Sequence, residues 1–531
     1  MHVERIIGPP GTGKTTALME RVKRELDDGL MPERIGYYSF TRAAAKVAQK
    51  KASEAFPERA EEFCHFRTLH SEAFRQLGWS KDKVMLGKHL QDFAEAEGYE
   101  ISPVNLGDKD IAEHEVEEMV LVTLGDFLLH FTQWRGNLML DEEAAYDLFW
   151  DRNRDSLPVG WSPMAVRAFE EDYRRYKMEN GLLDFNDMLL AVLAEGLAPE
   201  LDVLFFDEAQ DSSPLQYRVL DYWLQKGIRR HYIAGDSCQC IYQWMGSSPP
   251  HFENRPYDKL TYLTQSYRLP RRVHRLATRI IHTPDYKPRD AYGRVTAVSR
   301  TAFLDGLASG DGTVFILARN RYLLKDLCTD LCRWGLPYTN LRGTSPFQKK
   351  SALRLVTARQ LARGEAVTAQ ALWHLIDDLP QKKYFRRGFK ADIERLAKEQ
   401  PDTSLRLGDI GDQCLQYFRQ DLVAAMELPP QLHAYYQEII KRYGEDVLLA
   451  KPRITAGTIH SVKGMEADSI AILSDMSYKT YLGWQRLPDE EKRVWYVGAT
   501  RAKDNLFLIP AERQYAWQWP ELTCPEIDLE F

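Results

Sequence analysis

Gly8-Pro9-Pro10-Gly11-Thr12-Gly13-Lys14-Thr15 is the stretch that decides the fold. Before it stands Val3 to Ile7, a short apolar run that reads as a strand. After it, Thr16 to Leu26 has helical periodicity. A strand, a glycine-rich loop ending in Lys-Thr and a helix, in that order, form a phosphate cradle. Glycines let the loop wrap so that backbone N–H groups point inward at phosphate oxygens, and the helix N-terminus adds positive potential. Gly8, Gly11, Thr12 and Gly13 make the cradle, with Thr16 just beyond it. Lys14 is placed to reach the β- and γ-phosphates, and the Thr15 hydroxyl to ligate Mg2+. The expectation is an α/β protein that binds a nucleoside triphosphate.

Hydrolysis needs a second, acidic element. Val203-Leu204-Phe205-Phe206 is apolar throughout, as a strand buried on both faces must be, and it ends in Asp207-Glu208-Ala209-Gln210. Carboxylates at the carboxyl end of a central strand stand where ligands bind in open α/β sheets. Asp207 is the candidate for holding Mg2+, and Glu208 for orienting and deprotonating the attacking water. The competing reading makes both residues the acidic first turn of the next helix. A phosphate loop upstream favours the functional reading, so turnover and not binding alone is expected.

Composition bounds the rest. A chain of 531 residues has room for three or four domains. The net charge of -7 offers no global basic signature, so any nucleic-acid surface has to be local. No stretch approaches the ~18 apolar residues of a membrane span. Met1 runs into the first strand without a charged-then-apolar leader, and seven cysteines make an odd set. These features point to a reducing, cytoplasmic setting without a membrane partner. Cys238 and Cys240, like Cys328 and Cys332, lack a second pair at zinc-site spacing and read as ordinary thiols.

An ordered series of further motifs resembles the superfamily 1 helicases of the UvrD/Rep/PcrA type. Ser39-Phe40-Thr41-Arg42-Ala43-Ala44-Ala45 is similar to that family's T-F-T-N-K-A-A, and Thr68-Leu69-His70-Ser71 to its T-x-H. Leu183 to Leu189 resembles D-F-x-x-L-L, and Asp207 to Asp211 with Gln216 resembles D-E-x-Q-D-x-x-x-x-Q. Gly235 to Trp244 looks like G-D-x-x-Q-S-I-Y-x-W, and Ser266-Tyr267-Arg268 like N-Y-R. Thr458 to Glu466 is similar to T-x-H-x-x-K-G-L-E, and Tyr496 to Ala502 to Y-V-G-x-T-R-A.

The resemblance implies two RecA-like parallel-sheet domains, each with a mainly helical insertion. The first domain is expected at 1–78 and 180–264, interrupted by 79–179. The second is expected at 265–345 and 452–531, interrupted by a shortened insertion at 346–451. Arg268 and Arg501 match the family's two arginines at the γ-phosphate, where positive charge is worth roughly 10³–10⁵ in rate, and Gln239 matches its γ-phosphate sensor. Tyr267 is expected to stack on the adenine and Glu466 to contact the ribose.

On the DNA side Trp244 matches a base-stacking position, and Phe40, Arg42, His70, Tyr242 and His460 match other contacting positions. Tyr242 and Trp244, two apart after a strand, are expected to project to one side, while Phe40 and Tyr242 keep the alternative of core aromatics. Two basic stretches are further candidates: Arg268, Arg271, Arg272, Arg275 and Arg279, and Lys382, Lys383, Arg386, Arg387 and Lys390.

Three departures bear on detail. Seven residues precede Gly8, too few for the family's adenine-reading glutamine segment; Thr16 stands where the family has an arginine; Met245 replaces a DNA-contacting arginine. Weak base selectivity is expected, tested by comparing GTP with ATP. The function implied is an ATP- and Mg2+-dependent DNA helicase or translocase, moving 3′ to 5′ on single strands and acting at single-strand/duplex junctions as a monomer. Alternatives are a translocase that removes proteins from DNA without strong unwinding, and a nucleotide-gated subunit that holds DNA or a partner.

Overall fold

The computed structural model describes residues 1–103, 121–307, 310–341, 349–377, 385–410, 430–444, 446–448, 450–520 and 528–529. The chain forms two compact units. The first takes Met1–Arg294 with Ser477–Asp504 and Gln518–Cys524; the second takes Val295–Met476, Asn505–Trp517 and Pro525–Phe531.

The first unit is built on six strands: β1 (His2–Ile7), β2 (Ile35–Ser39), β3 (Phe66–Arg67), β4 (Val203–Asp207), β5 (Arg230–Gly235) and β6 (Lys259–Tyr262). They pair in parallel in the order β3-β2-β4-β5-β1-β6. Alternation along β4 shows why the sheet is covered on both faces. Val203 and Phe205 pack in one core with Ile6, Leu18 and Tyr37, while Leu204 and Phe206 pack in another with Leu69 and Trp223. The register aligns Ile7 with Gly235 and Ser39 with Asp207, so the loops leaving β1, β5, β4 and β2 share the sheet's carboxyl edge.

Between β3 and β4 the described chain is helical, with Lys88–Glu97, Leu124–Leu138, Glu142–Asn153 and Pro163–Asn180 around a core of their own that includes Phe93, Phe131, Phe149 and Phe169. Helix Leu124–Leu138 opens where Thr123 and Asp126 close a reciprocal capping box; residues 104–120 lie outside the described residues.

Beyond the sheet, β7 (Gln265–Pro270) pairs with β8 (Lys287–Arg289), and helix Arg271–Ile280 follows β7. The division expected at 265 therefore falls, by compactness, at 294. The physical reason is local: Tyr267 donates its N–H to the Gly11 carbonyl at 2.8 Å, and the Ser266 hydroxyl donates to the Pro10 carbonyl at 2.8 Å, tying β7 to the first loop.

The second unit carries β9 (Arg294–Ala297), β10 (Val314–Ala318), β11 (Tyr338–Asn340), a small β12 (Val367–Thr368) and β13 (Ser404–Leu405) ladder, β14 (Ile454–Thr458), β15 (Ala467–Leu473), β16 (Ala502–Ile509) and β17 (Asp528–Leu529). Its main sheet has the order β11-β14-β10-β15-β16-β9-β17. Helices inserted between β11 and β14 place Leu355, Ile376, Phe389 and Tyr436 in the same core as Ile316 and Ala456 of the sheet. This insertion is welded to its sheet, unlike the first, which has a separate core. Lys382 and Lys383 lie outside the described residues. Among the described residues no helix is long and apolar enough to cross a membrane.

Candidate functional site: the phosphate loop and the aromatic turn

The loop after β1 is shaped by backbone alone. Gly11 and Gly13 sit at φ 72° and 84°, and Gly13 caps helix Lys14–Asp27 without any side-chain hydrogen bond. The first N–H groups of that helix are thus left to a ligand, which is the condition for anion binding. The Thr12 hydroxyl donates to the Pro9 carbonyl at 2.8 Å, and Lys14 Nζ donates to the Gly8 carbonyl at 2.8 Å. Lys14 is 8% exposed, folded back over the loop. Thr16 lies exposed on the first turn.

From Thr15 a continuous chain of hydrogen bonds crosses the carboxyl edge of the sheet. The Thr15 hydroxyl donates to Asp207 Oδ2 at 2.8 Å, and the Glu208 N–H donates to Asp207 Oδ1 at 2.9 Å. Gln210 Nε2 donates to Glu208 Oε2 at 2.7 Å, while its Oε1 accepts from the Asp236 N–H at 2.9 Å. Gln239 Nε2 donates to Asp236 Oδ2 at 2.7 Å, and Arg501 Nη2 donates to Gln239 Oε1 at 2.9 Å. Lys14, Thr15, Asp207, Glu208, Gln239 and Arg501 thus meet in one site within the first unit. Arg268 joins them from β7: a Cβ on Gly11 would stand 2.4 Å from Arg268 Cβ. Tyr267 is 72% exposed beside the loop, open to stack on a ring.

Glu208 does not open a helix. It holds φ 53°, one of two described non-glycine residues at positive φ, and helix Pro214–Leu224 starts only after a 3-10 turn. A carboxylate held in left-handed backbone costs energy and is typical of a functional position. Burial pushes the Asp207 carboxyl above the usual carboxylate range and Glu208 adds to the rise, against hydrogen bonds from Thr15 and Tyr37 and the charge of Lys14. Asp236 is also pushed up by burial, opposed by Lys14 and Gln239. Two buried acids near a threonine hydroxyl and a lysine fit a Mg2+ triphosphate, and Thr15 and Asp207 would hold the metal. Among the described residues no group of three or more His, Cys, Asp or Glu side chains is placed to hold a metal ion.

Sequence reasoning gave no role to Tyr37, Gln210 or Asp236. Tyr37 donates its hydroxyl to Asp207 Oδ2 at 2.8 Å from deep inside the sheet, and burial beside Asp207 keeps that hydroxyl protonated. The one signal for Tyr37 is its place two residues before Ser39, which pairs with Asp207.

Of the DNA-side candidates, Phe40, His70, Tyr242 and Trp244 follow β2, β3 and β5 at the same edge. Phe40 and Tyr242 stack with centroids 5.1 Å apart, and Tyr242 meets Trp244 edge-on at 6.5 Å. Tyr242 is 1% exposed. The expected projection of Tyr242 and Trp244 from a strand is corrected: Trp244 lies in a 3-10 turn, Gln243–Met245, and Tyr242 is a core aromatic beneath it. Trp244 is half-buried against His130 at 6.2 Å. A cavity beside the turn is lined by Phe40, His70, Phe185, Gln216, Met245 and Ser247. Burial pushes His70 down to about 4, so it faces that cavity as a neutral ring and not as a phosphate-binding cation. Arg42 is half-buried at the start of helix Arg42–Ala55, which Thr41 caps.

His460 and Glu466 belong to the second unit, His460 buried in a 3-10 turn after β14 and Glu466 just before β15. Arg271, Arg275 and Arg279 lie exposed along one helix face, with Arg271 paired to Asp290. Cys332 Sγ stands 3.8 Å from the Tyr338 hydroxyl, and Cys238 donates to the His282 carbonyl at 3.4 Å, as ordinary thiols do.

Two family models match the chain: the UvrD/REP helicase N-terminal domain over residues 4–258, and the UvrD-like helicase C-terminal domain over 427–513. The chain belongs to the UvrD/Rep/PcrA-like superfamily 1 helicases. Among UvrD-like relatives, a probable DNA helicase of Mycoplasma pneumoniae is 26% identical over 53% of this chain and 53% of its own length. A probable DNA helicase II homolog of the same organism is 25% identical over 51% of this chain and 39% of its own length. The chain thus spans about half, or less, of these two relatives. The ATP-dependent DNA helicase PcrA of Staphylococcus epidermidis is 20% identical over 95% of this chain and 81% of its length. The putative ATP-dependent DNA helicase YjcD of Bacillus subtilis is 23% identical over 96% and 77%.

Proposed function

We propose that this UvrD-like chain is an ATP-dependent DNA helicase that translocates on single-stranded DNA, 3′ to 5′, and opens duplex at single-strand junctions. The observation that carries the reading is the unbroken hydrogen-bond chain from Thr15 through Asp207, Glu208, Gln210, Asp236 and Gln239 to Arg501. It joins a phosphate cradle, a pair of acids and an arginine, the parts that phosphoryl transfer to water requires.

In this mechanism the loop N–H groups and Lys14 bind the β- and γ-phosphates. Thr15 and Asp207 would hold Mg2+, which would supply charge neutralisation at those phosphates. Glu208 orients water and takes its proton; Arg268 and Arg501 stabilise charge on the transferred group, and Gln239 reports its presence. Tyr267 stacks on the base, weakly selective for adenine. Trp244 stacks on a DNA base, backed by Phe40 and Tyr242. The roles of Arg42, His70, Glu466 and His460, and the polarity, rest on the family resemblance.

The test is ATPase rate against added single-stranded DNA for the wild type and Glu208→Gln. Stimulation in the wild type and none in the variant is expected; a wild type without ATPase activity, with or without DNA, overturns the reading in favour of a nucleotide-gated binding subunit. A second reading, a translocase that strips proteins from DNA, is favoured by the described helices of the second insertion, which share their sheet's core. A fluorescent duplex with a 3′ tail separates the two: translocation without strand release supports the second.

A further inference from the structure

The loop from Asp236 to Gly246 carries the nucleotide sensor at one end and the aromatic turn at the other. Gln239 takes the hydrogen bond of Arg501, and four residues later Gln243 takes another, from Arg493 Nη1 to its Oε1 at 3.1 Å. Both arginines come from one stretch. Arg493 lies within helix Pro488–Ala499, and Arg501 follows its last turn. From Arg493 to its last residue, Ala499, the helix advances about 9 Å, so this element touches the loop at two separated points.

Other contacts hold both parties in place. Arg152 forms a two-pronged ion pair with Glu490 at 2.8 and 2.7 Å, pinning the start of the helix to helix Glu142–Asn153. The Gln243 carbonyl accepts from Trp134 Nε1 at 3.3 Å, and the Met245 carbonyl accepts from Asn137 Nδ2 at 3.0 Å. The backbone of the turn is thus tied to helix Leu124–Leu138, and the Gln243 side chain gives the turn a direct polar link to helix Pro488–Ala499. Gln243 neighbours Tyr242 and Trp244 but carries no ring, and Arg493 lies eight residues from the arginine at the phosphate end. Neither has a part in the chemistry or the stacking described above.

We infer that Gln243 and Arg493 are positioning residues that carry the state of the DNA-binding turn to the nucleotide sensor. When a base seats on Trp244, the turn shifts. The Gln243–Arg493 hydrogen bond passes that shift to helix Pro488–Ala499, whose end sets Arg501 against Gln239. The bond is charge-assisted and half-buried, so it resists shear better than a neutral surface contact. This inference rests on the DNA-stimulated ATPase proposed above.

The test compares basal and DNA-saturated ATPase, and the DNA concentration giving half-maximal stimulation, for wild type, Gln243→Ala, Arg493→Ala and Gln243→Glu. Gln243→Ala and Arg493→Ala are expected to keep the basal rate and the half-saturating DNA concentration within about twofold while losing about tenfold in stimulation. Gln243→Glu, whose carboxylate still accepts from Arg493, is expected to retain stimulation. Full stimulation in both alanine variants overturns the inference. So does an equal loss of basal and stimulated rates with a lowered melting temperature, which marks a structural contact only. A wild type with ATPase activity but no response to DNA overturns the inference together with the reading it rests on.

Discussion

The phosphate loop and the aromatic turn lie at one edge of one sheet yet are built in opposite ways. The loop takes its shape locally, though β7 packs on it and Thr15 reaches out to Asp207. Its geometry comes from two left-handed glycines, and two of its side chains bond back within six residues, Thr12 to Pro9 and Lys14 to Gly8. The turn is held from afar: Trp134 is 109 residues from Gln243, Asn137 is 108 from Met245, and Arg493 is 250 from Gln243. Even Gly246, at φ 98°, is packed against a remote side chain, since a Cβ there would stand 2.8 Å from Asn137 Cβ. The contrast follows from the ligands. Phosphate is small and fixed in shape, so a rigid local cradle suits it. A moving DNA strand calls for a surface whose position other elements can change.

That contrast can be broken most forcefully at Glu208. Glu208→Gln is expected to lower single-turnover ATP hydrolysis by about 10³-fold while nucleotide binding, followed by equilibrium titration, persists. Loss of binding instead would mean that the acid belongs to the cradle and not to the chemistry. Next in size is Gly11→Ala, which meets both an unfavourable φ and the Arg268 side chain. Nucleotide affinity should fall more than tenfold with single-strand affinity retained; equal losses would show that the two regions are not separable.

Trp244→Ala should weaken single-strand binding by about 5- to 100-fold, the worth of one stacked base, read by fluorescence anisotropy. Unchanged affinity would remove the turn from the track. Asn137→Ala is smaller, with the loss of one hydrogen bond worth about 1 kcal/mol. It should weaken single-strand binding less than tenfold without touching nucleotide affinity, which sharpens the point that the turn depends on a distant helix.

Acid provides a last probe. His70 and His130 are both pushed down to about 4 by burial, and His130 packs on Trp244. The folded state does not protonate these rings at a pH where the unfolded chain does. Their contribution to stability is whole above 6.5 and is lost as pH falls toward 4. Melting temperature should drop across that window, and His130→Gln should flatten the drop; an equally steep drop in the variant would place the sensitivity elsewhere.

What could be read from the sequence follows the same division. Residues 8–15, the buried run ending at Asp207, and the two-sheet α/β class were legible because each is a local pattern: a glycine spacing, an apolar run, an order of motifs. Tyr37 was not, because a tyrosine in a buried strand announces only its burial; its hydroxyl bond to Asp207 depends on β2 lying beside β4. Tyr242 could be read as an outward partner of Trp244 or as a core aromatic, because the chain had already left β5 for a 3-10 turn, where a period of two no longer assigns a side.

Taken alone, the order of residues determined the phosphate cradle, the acidic strand end and the family, since these need no more than short-range backbone geometry. The tertiary structure decided that β5 stands between β4 and β1, that Ser266 and Tyr267 return to the loop, and that Arg493 and Arg501 grip one segment at two points. Those are contacts between residues up to 262 apart, chosen by how two-faced strands and helices bury their apolar sides, and no local pattern encodes them.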